Sequence, residues 1–235
     1  MLLGSSPETQ YDLRFRLFGI PIRVHPLFWL IMVLLSGQPE SLLGAGVFVA
    51  CALFSIVAHE LGHGLMGRLL GYPPQGIVLY AMGGYCEFRG ERQEPWRRLL
   101  ILLAGPGAGF LILILAVVLT TDLLIPVDSF SKSEAYQYAI HDLIFINLIW
   151  GILNLLPIWP LDGGQVTGVV LGMLNPSQGE RWAHVISLLF AGGIAALAAV
   201  WGQLMPAVWF GYFGYINFRI LQSYHDSYSS SSTWS

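Results

Sequence analysis

The sequence predicts an all-α polytopic membrane protein of about six transmembrane helices, with a small re-entrant or interfacial β element. Three observations predict it. The 235 residues are 55% hydrophobic and only 11% charged, and the mean hydropathy of +0.63 is outside the range of a soluble domain. Apolar runs close to the ~20 residues needed to cross a bilayer recur along the chain. Between them lie two short segments, 11–24 and 76–88, with strand-forming residues and breakers and too little length to cross. No stretch is long and polar enough for a soluble second domain, so a single transmembrane domain is expected over 1–222, with a catalytic core near 41–172.

Met1 to Arg16 is polar and mixed in charge, with no apolar run before a cleavage-like site. No removable signal peptide is expected, and the first apolar helix directs insertion. Tyr11 to Val24 mixes Leu, Phe and Ile with Arg14, Arg16 and Arg23 around Gly19-Ile20-Pro21, the pattern of an interfacial strand or hairpin. His25 to Leu35 is the first helix, short for a span. Gln38-Pro39-Glu40 turns the chain into a long second helix, Leu42 to Leu70, which Gly71-Tyr72-Pro73-Pro74 ends because proline cannot continue the hydrogen-bond ladder.

Gly76 to Phe88 reads as a re-entrant strand or hairpin, with a surface loop as the alternative: irregular backbone at membrane depth persists only beside protein or a wet cavity. A third helix spans Leu99 to Leu124 and carries Ala104-Gly105-Pro106-Gly107-Ala108-Gly109, small residues that let helices approach closely. After a polar loop, Pro126 to Ala135, a fourth helix runs from Tyr136 to Leu156 until Pro157-Ile158-Trp159-Pro160 interrupts it. Gln165 to Leu174 is a short helix, and Arg181 to Gln203 and Pro206 to Leu221 are the fifth and sixth spans. The Ser-rich stretch 223–235 lacks core-forming residues and is expected to be disordered. Cys51 and Cys86 have no CxxC spacing and read as packing residues.

The chemistry centres on Ala58-His59-Glu60-Leu61-Gly62-His63 in the last third of the second helix. Histidines at i and i+4 lie one turn apart on one face, so both imidazoles reach one zinc ion while Glu60 faces the same space. Such a pattern also arises by chance in unrelated chains, but ionisable residues inside a membrane helix are costly and mark sites in the bundle interior. A catalytic zinc takes three protein ligands and a water. His25, His141, Asp142, Asp162, His184 and His225 are the candidates for the third.

Charge placement orders these candidates. With a cytoplasmic N-terminus, Arg14, Arg16, Arg23, Arg68, Arg89, Arg92, Arg97, Arg98, Arg181 and Arg219 fall on the cytoplasmic side, 10 of the 11 basic residues, leaving Lys132 outside, as the positive-inside rule requires. HELGH and Asp162 then lie at the same end of the membrane. Asp162 is therefore preferred, with a helix N-cap as its alternative role. His141 and Asp142 fall near the opposite face and suit an entrance or interface, whereas His184 and His225 read as ordinary interfacial residues.

HELGH, Gly83-Gly84, the Gly-Pro motif of the third helix and Asn154-Leu155-Leu156-Pro157-Ile158-Trp159-Pro160-Leu161-Asp162-Gly163-Gly164 together resemble the site-2 protease family of intramembrane zinc metalloproteases. The resemblance covers 24–172 and is to the minimal six-helix branch, without PDZ or CBS domains. It implies one Zn2+ held by His59, His63 and Asp162, Glu60 as catalytic base, and Asn154 near the scissile carbonyl. Gly109 departs from the Asn that many members place after the Gly-Pro pair.

The chemistry follows from these residue types. Zinc lowers the pKa of a bound water to about 7, Glu60 accepts its proton and returns it to the leaving nitrogen, and Asn154 either donates to the developing oxyanion or makes an interhelical hydrogen bond. A helical substrate must unwind first, and the segment with Gly83 and Gly84 is the candidate to bind it by strand addition. The expected partners are a single-span membrane-protein substrate and the lipid bilayer, with a regulatory membrane partner or a second copy left open and no nucleic acid. The expected location is the plasma membrane, with the active site toward the cytoplasm. Two other classes compete. A zinc-binding pseudoprotease would not need Glu60, and a metal transporter would show paired broken-helix motifs in both halves, of which there is one pair.

Overall fold

The computed structural model describes residues 7–37, 41–81, 83–89, 93–121 and 133–231. In chain order the elements are β1 (Leu13–Leu17), β2 (Ile20–Val24), α1 (Pro26–Leu35), α2 (Leu42–Leu69), β3 (Pro74–Tyr80), β4 (Gly83–Phe88), α3 (Pro95–Val118), α4 (Glu134–Asn154), α5 (Asp162–Leu174), α6 (Gly179–Val200) and α7 (Leu204–Ser231). They form two compact units, Met1–Gly151 and Ile152–Ser235. The turn at 38–40 and most of the loop at 126–135 lie outside the described residues.

In the first unit both short β segments form hairpins and join into one four-stranded sheet of order β1-β2-β3-β4. The outer pairs are antiparallel, and β2 pairs with β3 in parallel, Ile22 opposite Ile77 and Val24 opposite Leu79. Phe18 and Gly19 both take positive φ, 49° and 76°, the two-residue turn that matches the twist of a hairpin and that Gly19 makes accessible. Alternation then assigns the faces. Ile20, Ile22, Val24, Ile77 and Leu79 are buried against α1 and α2 in a core that includes Phe28, Met32, Ala52, Ile56 and Leu61. The segment 76–88 is thus a hairpin, and β3 is an interior strand, which leaves β4 at the edge.

Beside this sheet, Asp12 is held by the Thr9 hydroxyl at 2.6 Å and the Thr9 amide at 3.1 Å, and Arg23 lies 3.1 Å away. The Thr9 hydroxyl first, then the amide and Arg23, lower the Asp12 carboxyl from 3.8 to about 2. A folded-state pKa below the unfolded one adds stability that is present above about 3.8 and is lost as pH falls through about 2. Asp12→Asn is therefore expected to lower the unfolding midpoint at pH 6, and the gap to wild type should close between pH 4 and 2. A gap that stayed constant in thermal melts across that range would show that the carboxylate charge contributes nothing.

Ser41 caps α2, its hydroxyl accepting from the Gly44 amide at 3.0 Å, and the 28 residues of α2 span about 42 Å at 1.5 Å each. With α3 and α6 it is one of three helices that are long and apolar enough to cross a membrane, whereas the 10-residue α1 is short. The count of six spans is not reached by length and composition among the described residues. Between α2 and α4, buried Asn147 donates to Ser55 Oγ at 2.9 Å and to the Leu143 carbonyl at 2.8 Å. Its Oδ1 lies 3.4 Å from where a Gly109 Cβ would stand, ordinary contact distance.

In the second unit, Ile158, Ala191 and Phe210 form the core. The short helix starts earlier than its sequence pattern indicates, at Asp162, with Leu161 in the cap position and no side-chain cap hydrogen bond. Asp162 is thus the first helical residue and not the N-cap. At the other end α7 continues to Ser231, extension of a formed helix costing far less than nucleation. Residues 232–235 lie outside the description.

Candidate active site

The site begins on α2, where 3.6 residues per turn bring His59 and His63 to one face. Both are buried, with Glu60 buried between them in sequence. The two Nε2 atoms lie 3.2 Å apart and the rings meet edge to face at 81°. Tetrahedral coordination at about 2.0–2.1 Å from each nitrogen would separate two ligand atoms by roughly 3.3 Å. The pair therefore fits one zinc-sized ion as it stands.

The second ring nitrogen sets the tautomer. His63 Nδ1 lies 2.7 Å from the Ile101 carbonyl of α3, and a carbonyl only accepts, so Nδ1 carries the proton and Nε2 presents its lone pair to a metal. Gly105 lets α3 come this close: a Cβ there would fall inside the His63 imidazole. On the sheet side, a Cβ on Gly84 would lie 2.7 Å from Glu60 Cγ and 3.0 Å from Oε1. Gly84 of β4 is thus a wall of the Glu60 compartment, and Gly83 beside it faces the Trp150 ring, 3.6 Å from an added Cβ.

Asp162 and Asn154 belong to the second unit. Asp162 is buried at the start of α5, where Gly163 and Gly164 let the helix rest directly on the backbone of Leu155, Leu156 and Ile158. Asn154 ends α4 half-buried, with no side-chain hydrogen bond among the described residues. Of the other candidate ligands, His25 caps α1, accepting from the Leu27 amide at 3.1 Å, and packs on Tyr80. His141 lies 3.2 Å from buried Asp142. His184 is buried, with Nδ1 2.8 Å from Asn217 Oδ1. Neither Ser55 with Asn147 nor Ser187 with Asn217 was singled out in the sequence, where each is one polar residue in an apolar run.

The model of peptidase family M50 matches residues 47–132 and 125–197, which takes in HELGH and the Asp162 motif. The chain belongs to peptidase family M50. The resemblance to site-2 proteases drawn from the motifs is therefore borne out. Among similar proteins, a Synechocystis protein provisionally named a zinc metalloprotease is 32% identical over 203 residues, 80% of this chain and 51% of its own length. The zinc metalloprotease MJ0392 of Methanocaldococcus jannaschii is 30% identical over 68% of this chain and 46% of its own. This M50 chain spans about half the length of the curated relatives it matches. The solved site-2 protease from Methanocaldococcus jannaschii shares its fold, with a TM-score of 0.63 over 90% of this chain and 95% of that one at 24% identity. The apolar helices and the family together make it a membrane protein.

Proposed function

We propose that this M50 chain is an intramembrane zinc metalloendopeptidase that hydrolyses a peptide bond within or near a transmembrane segment of a membrane-protein substrate. The observation that carries the proposal is the pair of Nε2 atoms 3.2 Å apart with Glu60 on the adjoining position of the same buried turn. Two imidazoles make two of the three protein ligands of a catalytic zinc site. His59 and His63 would hold the ion, and Asp162, a buried acid in the Asp-Gly-Gly motif, is assigned as the third ligand. When bound, zinc supplies a Lewis acid and a water acidic at neutral pH.

The protein's own groups do the rest. Glu60 takes the proton of the attacking water and returns it to the leaving amide nitrogen, so no proton has to come from a dry interior. Asn154, at the end of α4 with its amide unspent among the described residues, donates to the carbonyl oxygen as charge develops there. Loss of such a donor costs about 2.7–4 kcal/mol in a soluble protease. Regulated intramembrane proteolysis is the setting proposed, in the plasma membrane with the N-terminus and the site toward the cytoplasm. α1, α2, α3, α4, α6 and α7 are the six spans of one metalloprotease domain.

An unwound substrate exposes backbone groups that the bilayer cannot satisfy. Interior β3 has both edges paired, so the extended substrate adds to β4, beside Gly83 and Gly84. Proline removes one ladder donor, and of two adjacent edge residues one points its N–H outward. Tyr85→Pro and Cys86→Pro are expected to differ, one slowing cleavage of a helical substrate about tenfold and the other disturbing β3 pairing. If both fold and both cut at the wild-type rate, β4 does not bind substrate.

The proposal is tested by incubating purified protein with a panel of single-span membrane peptides, quantifying zinc and sequencing products. Internal cleavage with one zinc per chain supports it. Zinc without cleavage of any peptide favours a binding pseudoprotease, and zinc flux in sealed vesicles favours a transporter.

A further inference from the structure

The segment that leads into Asp162 is non-helical backbone, and two side chains from the last two helices grip it. Within the second unit the Trp159 N–H donates to Ser187 Oγ at 3.0 Å, and that hydroxyl donates on to the Pro157 carbonyl at 3.2 Å. Asn217 Nδ2 donates to the Trp159 carbonyl and to its own helix at Phe213, both at 2.8 Å. His184 Nδ1 lies 2.8 Å from Asn217 Oδ1, which fixes the amide orientation, and the His184 ring packs on Trp159 at 5.9 Å. Ser187 and Asn217 are both 0% exposed.

Trp159 is thus held at both its N–H and its carbonyl, three residues before Asp162. Ser187 uses its hydroxyl as donor and acceptor together, and Asn217 spends both amide protons. A polar network satisfied in this way is rigid. The rigidity passes to Asp162 because α5 starts on this same backbone: Cβ atoms on Gly163 and Gly164 would overlap Leu155 and Ile158. α5 therefore cannot shift without the loop, and the loop cannot shift without breaking bonds to α6 and α7.

We infer that Ser187, Asn217 and His184 are positioning residues for the Asp162 carboxylate, so that the last two helices set metal affinity from outside the ligand set. The inference rests on the assignment of Asp162 as the third ligand. Groups that orient a ligand typically change metal affinity by about 10- to 100-fold when removed.

The experiment measures zinc affinity, and the visible spectrum after cobalt substitution, for the full chain in detergent, comparing Ser187→Ala, Asn217→Leu and Asp162→Asn with wild type. Cobalt bands report ligand geometry, which a bond serving only the fold would leave unchanged in a folded variant. The expected result is wild-type helix content with zinc binding roughly 10-fold weaker in Ser187→Ala, up to 100-fold weaker in Asn217→Leu, and altered cobalt bands in both. If Asn217→Leu does not fold, Ser187→Ala decides. Wild-type affinity and bands in the folded variants, with zinc lost in Asp162→Asn, overturn the inference and leave the ligand assignment standing. Wild-type zinc binding in Asp162→Asn removes the assignment itself, and the inference with it.

Discussion

Glu60→Gln is expected to slow peptide cleavage by roughly 10²- to 10⁴-fold while zinc content stays at the wild-type value. Gln keeps the size of Glu and a hydrogen-bonding end, and it loses the negative charge and with it the ability to take a proton from water. The geometry makes the comparison clean. Glu60 is 5% exposed and packs where Gly84 leaves no Cβ, so a side chain of equal volume has one place to go. His63 does not depend on Glu60 for its Nε2 lone pair, since the Ile101 carbonyl sets its tautomer. Cleavage assayed with zinc measured in the same sample separates the outcomes. A variant that cuts at the wild-type rate removes Glu60 as the base. A variant that loses zinc along with activity shows that the carboxylate acts on the metal site or the fold, and the assigned role fails.

The parts legible in the sequence are those whose signal is local. α2 is legible between the breakers Pro39 and Pro73-Pro74, and the i, i+4 spacing of its histidines maps directly onto ring nitrogens that face each other. Both hairpins could be placed because glycines and strand formers alternate over few residues. That they share one sheet could not, since the parallel pairing of Ile22 with Ile77 joins segments 55 residues apart, the difference between those two numbers. The strand open to addition is accordingly β4, since β3 lies between β2 and β4. The burial of His184 is not legible, because a single histidine in an apolar run gives no sign of its neighbour. Its partner Asn217 is 33 residues on and meets it through the packing of α6 on α7. The start of α5 was misplaced for a related reason: the sequence shows Asp before a helix, the usual cap order, whereas close contact of Gly163 and Gly164 with the preceding turn draws Asp162 into the helix.

Gly105→Ala is expected to weaken zinc binding at least about tenfold, with cleavage falling alongside, although residue 105 bears no ligand. The added methyl would occupy the His63 ring. The ring cannot rotate away without giving up the Ile101 hydrogen bond that keeps its proton on Nδ1. The helix can withdraw only by opening its contact with α2, where Gly62, one position before His63, leaves no room for a Cβ against the Ala104 carbonyl. Overpacking of this kind costs about 1–3 kcal/mol, so the melting temperature should fall together with metal affinity. Gly107→Ala, on the same helix with nothing within 4 Å of its added Cβ, supplies the control. There alanine stabilises an α-helix by roughly 0.5–1 kcal/mol over glycine, and zinc binding should be unchanged. Titration of zinc into the two purified variants, with thermal melts on the same samples, distinguishes a local effect on His63 from a general effect of methyl groups on α3. Equal zinc affinity in both would mean that the His63 imidazole is free to move, and that α3 plays no part in holding the ligand.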